Sequence, residues 1–204
     1  MRLRFLYSPY MKTTLFPLAV AFATMVFAFS ASFGAAPVKY GGKTYKTVKI
    51  GTQTWMAENL NYDAEDSKCY DNKSENCAKY GRLYDWETAM KVCPQNWHLP
   101  SDEEWDVLVD YVGGFSAAGT KLRATNGWYG DSNGTDDYGF SALPGGIGYS
   151  NGYFNDIGNS GRWWSSSESN SNGIYSRYIG YSIEYAIWVS YDTSYLFSIR
   201  CVQD

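Results

Sequence analysis

Few side chains in this sequence are placed to do chemistry. The single histidine, His98, lies between Trp97 and Leu99. Any nucleophile–histidine pair would have to use it. Its neighbours already have another role: Ser101 followed three residues later by Glu104 is a capping box that starts a helix. Asp102, Glu103 and Glu104 then form an acidic first turn, where the helix dipole favours negative charge. His98 therefore reads as a structural or surface imidazole. Asp136 and Asp137 are adjacent and would diverge in a strand, so they do not make the facing carboxylates of a glycosidase. No catalytic residue is assigned.

Two other groups of residues suit binding. In DSNGTDD, Asp131, Asn133, Asp136 and Asp137 concentrate oxygen ligands, and calcium takes six to eight of them. The pattern is not an EF-hand, since Gly134 comes too early and Ala142 stands where the closing glutamate belongs. The same residues also suit a solvated turn in which Asn and Asp bond their own backbone. Calcium is the one candidate cofactor. The second group is aromatic. The chain holds 8 Trp, 19 Tyr and 10 Phe. Neighbouring strand residues point to opposite faces, so of Trp163 and Trp164 one is expected inside and the other, Trp164, at least partly outside. A ligand face is expected from Trp128 to Glu168, using Trp128, Asp131, Asn133, Tyr153, Trp164 and Glu168 on glycine-rich loops.

The elements that would carry these residues are short. Lys43–Ile50 reads as a strand and Gln53–Tyr62 as a second strand or turn. Asp63–Asn76 reads as polar and irregular. Asp85 can cap a helix whose stripe is Trp86, Ala89, Met90 and Cys93, with Pro94 as its stop. The helix capped by Ser101 follows, with Trp105, Leu108, Val109 and Val112 inward and Gly113-Gly114 at its end. From Gly119 onward helix signals vanish. Short strands are expected over 139–143, 162–166, 175–181, 185–191 and 195–202, the last two joined through Asp192-Thr193-Ser194. The class is α+β, with two helices packed on short antiparallel strands and long irregular loops.

The four cysteines, Cys69, Cys77, Cys93 and Cys201, allow three disulfide pairings. Only eight residues separate Cys69 from Cys77, a loop easily closed. Cys93 lies on the inward stripe of its helix, and Cys201 shares a strand face with Phe197 and Ile199. Face matching thus favours Cys93–Cys201, and closing so long a loop contributes roughly 4 to 5 kcal/mol on the loop-entropy model. Zinc is disfavoured, because no CxxC pair occurs.

Arg2, Arg4 and Lys12, then the apolar run 15–29, then small residues through Ala36 follow the order of a secretory signal peptide over residues 1–36. If retained, the charge-free stretch between Lys12 and Lys39 is long enough to anchor in a bilayer. Removing residues 1–36 takes away three cations and no acid, moving the net charge from −4 to −7. That balance excludes nucleic acid as a partner, since phosphates need a basic surface. It also disfavours an anionic membrane surface after signal cleavage. The remaining residues, 37–204, are expected to form one secreted, extracellular or cell-surface domain.

Several segments carry a resemblance. Trp86, Ala89, Cys93, Leu99 and Glu104 resemble the first helical region of the C-type lectin-like fold, in which a cysteine of the last strand pairs back to that region, here Cys201 in FSIRCV. HLPSDEEW is similar to a stretch of the formylglycine-generating, sulfatase-modifying branch of that fold. VKIGTQTWMAENLNY, YGRLYDW, NGTDDYGFSALPGG, RWWSSSE and SIRCV together resemble the Fibrobacter succinogenes major paralogous domain, over roughly residues 40 to 204. The resemblance implies an exported lectin-like domain. The Glu-Pro-Asn triplet of calcium-dependent sugar-binding lectins is missing, and Ser165-Ser166 follows Trp163-Trp164 where those lectins carry Asn-Asp. Reactive cysteines of the sulfatase-modifying kind are not expected either. The function expected is a non-catalytic binding or adhesion module for glycan or another cell-surface component, glycan because the loops mix Trp and Tyr with Asn, Asp and Ser, with a structural or self-assembling surface protein as the alternative and a sulfatase-modifying enzyme third.

Overall fold

The computed structural model describes residues 35–169 and 173–204, so the expected leader lies, up to residue 34, outside the described residues. Among the described residues no helix is long and apolar enough to cross a membrane. β1 (Val38–Tyr40) and β2 (Lys43–Tyr45) form a hairpin. The single strand expected over Lys43–Ile50 breaks at Lys46, whose backbone N–H donates to Glu58 Oε2 at 2.9 Å instead of to a strand. β3 (Thr47–Ile50) turns through Gly51 into β4 (Gln53–Met56), in a different sheet.

The region expected to be irregular holds a 3-10 turn (Tyr70–Asn72) and a helix, α1 (Ser74–Tyr80). No side chain caps α1. It is held by the Cys69–Cys77 disulfide and by burial of Cys77 and Tyr80, which are tertiary supports that its polar sequence does not announce. α2 (Trp86–Ala89) starts as expected, with Thr88 N–H donating to Asp85 Oδ1 at 2.8 Å. It ends early: Lys91 N–H returns to Thr88 O, Met90 is exposed, and Cys93 lies beyond the helix. β5 (Trp97–His98) follows. α3 (Asp102–Tyr111) begins at the expected capping box, with Glu104 N–H donating to Ser101 Oγ and Ser101 N–H to Glu104 Oε2.

α4 (Phe115–Leu122) was not expected. Gly119 reads as a loop residue in sequence, but here it permits close packing. A Cβ on it would lie 2.5 Å from the carbonyl oxygens of Glu184 and Tyr185, so α4 packs directly on the backbone leading into β10. β6 (Ile147–Gly148) pairs with β7 (Phe154–Asn155). β8 (Ser160–Glu168), β9 (Ile174–Gly180) and β10 (Ala186–Tyr191) form an antiparallel meander in the order β10-β9-β8.

The last segment departs most from expectation. Residues 192–195 do turn, with Tyr195 N–H donating to Asp192 O, but no hairpin with β10 forms. Leu196, Phe197 and Ser198 instead make isolated bridges to Gly148, Tyr84 and Trp163. Only β11 (Val202–Gln203) is a regular strand, and it enters a second sheet, β3-β4-β11-β5. The strand expected over 139–143 is likewise replaced by irregular chain that buries Phe140 and Ala142.

The core has two large clusters. One gathers Trp55, Trp105, Phe140 and Trp163; the other gathers Tyr45, Tyr84, Trp164, Phe197 and Ile199. β8 runs between them, which corrects the expectation for Trp164. Trp163 and Trp164 do point to opposite faces, but both faces are covered and both rings are 0% exposed. Trp164 Nε1 donates to Tyr84 O at 2.8 Å, and its ring lies 4.4 Å from Phe197. The same holds for the last segment. Phe197, Ile199 and Cys201 share one buried face, and Ser198 and Arg200 on the other are equally buried.

A polar node joins these layers. Asn59 Oδ1 accepts from Trp163 Nε1 at 2.8 Å and from Arg200 Nε at 2.7 Å, while Asn59 Nδ2 donates to Tyr80 O. Arg200 also donates to the carbonyls of Met56, Phe140 and Ser141 and lies over the Phe140 ring. Burial pushes its pKa down to about 9, which leaves the guanidinium charged at neutral pH.

Candidate functional site

The expected ligand-face residues separate in the fold. Trp128 is buried and its Nε1 donates to Ala142 O. That burial corrects its place on an open face: the ring plugs the core beneath the 124–142 loop. Asn133 Oδ1 accepts from Trp128 N–H, and the Asp136 carboxylate accepts from Ser141 N–H at 2.7 Å and Ser141 Oγ–H at 2.5 Å. Asp131 and Asp137 are exposed. Among the described residues no group of three or more His, Cys, Asp or Glu side chains is arranged to hold a metal. Glu168 is exposed at the end of β8. Tyr153, 71% exposed, sits in a turn that borders a large groove.

That groove encloses about 520 Å³ and assembles four stretches of chain distant in sequence. The first is the β6–β7 turn, closed by Tyr149 N–H to Tyr153 O and Gly152 N–H to Tyr149 O. It presents Tyr149 and Phe154. The second is the turn after β10, supplying Thr193, Ser194 and Leu196, and Leu196 exchanges both backbone bonds with Gly148. The third is the start of α2, with Asp85 and Glu87. The fourth is the segment carrying Asp66, Lys68 and Asn72, with Lys68 paired to Leu83 and fastened by the adjoining Cys69–Cys77 bridge. Tyr149 packs on Tyr195 (5.4 Å) and Phe154 on Tyr70 (5.2 Å), so each ring is held by an aromatic neighbour. A shallower hollow of about 340 Å³ shares Asp66, Asp85 and Glu87 and extends the acidic wall to Glu65.

Chemically, this groove sets two aromatic rings beside three carboxylates and several hydroxyls. Of the lining residues, Tyr149 and Phe154 fall within the expected span 128–168 without being singled out, Asp85 is legible only as a cap, and Tyr153 stands beside the groove rather than in its lining. The rest were missed because groove membership depends on the β6–β7 turn and the 192–196 turn meeting in space, which no local pattern encodes.

His98 lies elsewhere. Its Nδ1 is 2.6 Å from Asp204 Oδ1 and its Nε2 2.9 Å from Glu104 Oε1. Burial opposes protonation there, but the two carboxylates outweigh it and raise its pKa. This ties the imidazole to the cap of α3 and fits the structural reading. The two disulfides are Cys69–Cys77 and Cys93–Cys201, the expected pairs, and no cysteine is free. Such bonds persist in oxidising compartments and fit an extracellular domain.

A model of the Fibrobacter succinogenes major domain matches residues 48–203. The chain belongs to this family. No curated protein and no solved structure matches it. The segments that carry the resemblance to the Fibrobacter succinogenes major domain meet at the buried node. Asn59 comes from WMAENLNY, Phe140 and Ser141 from GFSALPGG, Trp163 from RWWSSSE, and Arg200 from SIRCV. In this member of the Fibrobacter succinogenes major domain family, the signature segments build the interior, and the groove is walled mainly by other residues.

Proposed function

We propose that this domain is an extracellular, non-catalytic binding or adhesion module of C-type lectin-like type that takes glycan in the 520 Å³ groove. The observation that carries the reading is the pairing of Tyr149 and Phe154 with Asp66, Asp85 and Glu87 around one open cleft. A sugar ring has an apolar face that packs on aromatics and a rim of hydroxyls that carboxylates and Ser/Thr side chains can bond. The lectin-like assignment draws support from Cys93–Cys201, which joins the region after α2 to the chain just before β11. The non-catalytic reading draws support from the bonded state of all four cysteines, which leaves no thiol for sulfatase-modifying chemistry. It also draws support from the lone His98, engaged by Glu104 and Asp204.

Pull-down on insoluble polysaccharides with purified exported protein, with and without calcium, tests this. Retention is expected, with loss on Tyr149→Ala and on the exposed Glu87→Gln. Retention unchanged by both variants would remove the groove from the reading. A structural, self-assembling role has one specific observation in its favour. β10, AIWVSY, is an edge strand without charge or proline, and its Trp188 is 57% exposed. Such edges template pairing between chains. Concentration-dependent oligomers in sedimentation would favour that reading.

A further inference from the structure

A second pocket, of about 310 Å³, carries the opposite charge to the groove. It lies between the chain following β4, the end of α1 and the 124–143 loop. Lys43, Lys46 and Lys79 line it, against two carboxylates, Glu58 and Asp136. Both carboxylates are engaged. Glu58 Oε1 is 3.5 Å from Lys43 Nζ, and its Oε2 accepts from Lys46 N–H. The Asp136 oxygens hold Ser141. The Lys46 and Lys79 ammonium groups have no ion pair among the described residues.

Behind this lining lies Arg200. It is fully buried, and its hydrogen-bond acceptors are all neutral: Asn59, Met56, Phe140 and Ser141. Asn59 and Ser141 are also pocket-lining residues, so the guanidinium is bonded directly to the wall of the pocket. The charged groups that act on Arg200 are Asp136 and Glu58, both in the pocket lining, so its positive charge offsets theirs there. Counting Arg200, the pocket region carries four cations against two anions, in a sequence whose net charge is −4. A concave site of one sign focuses ligands of the other.

We propose that this pocket is a binding site for a small hydroxylated carboxylate, an acidic sugar residue of the uronic acid class. Lys46 and Lys79 receive the carboxylate. Thr125 and Asn126 offer hydrogen-bond partners for the hydroxyls. The volume lies at the lower end of small-molecule sites, about 300–1,000 Å³, which suits a single ring rather than a polymer. The site shares no lining residue with the groove, so it stands or falls independently of the reading given above.

Calorimetric titration of the purified exported chain with D-glucuronate, D-glucose and inorganic sulfate tests it. Glucuronate is expected to bind, more weakly as sodium chloride rises, and glucose to bind at least about tenfold more weakly. Lys46→Gln/Lys79→Gln, both exposed, is expected to weaken glucuronate by about tenfold while leaving the melting curve and polysaccharide retention unchanged. No glucuronate binding, equal binding of glucose, or an unaffected double variant would overturn the proposal. Sulfate matching glucuronate in affinity would overturn the acidic-sugar assignment, reducing the pocket to a general anion trap.

Discussion

The polar node around Asn59 and the groove around Tyr149 are built from similar materials to opposite ends. Each sets aromatic rings beside polar groups. At the node, Trp163, Phe140 and Arg200 are sealed, and their donors are matched by named acceptors within the protein. In the groove, Tyr149 and Phe154 are only half-buried, and Glu87 has no ion-pair partner among the described residues. Buried polar groups must be satisfied internally or they cost stability, whereas groups at an open cleft can be satisfied by a ligand. An aromatic next to polar residues therefore identifies a binding surface only where one face of the ring is left uncovered.

The two disulfides divide along the same line, which offers the strongest way to break the comparison. Cys93–Cys201 spans 108 residues and ties the core together. Replacing both residues with alanine should cost about 5 kcal/mol from loop entropy alone, read as collapse of the urea transition. Next is Trp164→Ala, which should cost roughly 3 to 5 kcal/mol, as for any large core ring. Urea melts check this. A Trp164→Ala protein with unchanged stability but lost ligand retention would return the residue to a surface. The Cys69–Cys77 bridge spans only 8 residues, so Cys69→Ala/Cys77→Ala should cost about 2 to 3 kcal/mol on the same model. Because Lys68 and Asn72 adjoin that bridge, polysaccharide retention should fall even at temperatures where this variant stays folded. Retention at the unaltered level would show that the 66–72 wall is dispensable.

The smallest effect concerns His98. Its folded-state pKa is raised above the unfolded value by Asp204 and Glu104, against the opposing effect of burial. A raised pKa contributes stability that is complete below the unfolded pKa, near 6.5. That contribution fades as pH rises through the folded value. The imidazole is about half-exposed, so screening should hold the effect below about 1 kcal/mol. His98→Gln should remove this slope from a plot of stability against pH while leaving polysaccharide retention intact.

Much of the scaffold was legible in sequence because its signals are local. The Ser101–Glu104 capping box and the Asp85 cap each act within three residues and formed where the pattern placed them. The alternation of Phe197, Ile199 and Cys201 is likewise local, and with it came the long disulfide. α1 and α4 were hidden because neither has a side-chain cap. One depends on a disulfide and the other on a glycine pressed against Glu184 and Tyr185, both matters of what lies nearby in space.

The candidate site shows the same division more sharply. Sequence by itself determined that adjacent Trp163 and Trp164 face opposite ways, since strand geometry fixes that. Whether the second face meets water is not a property of the strand. Only the tertiary structure decided it, by laying one core cluster on each side of β8 and so sealing both rings. The same packing brought the β6–β7 turn, the 192–196 turn, the α2 start and the Cys69–Cys77 segment together. Exposure and concavity depend on the elements that cover a residue, and those elements come from elsewhere in the chain.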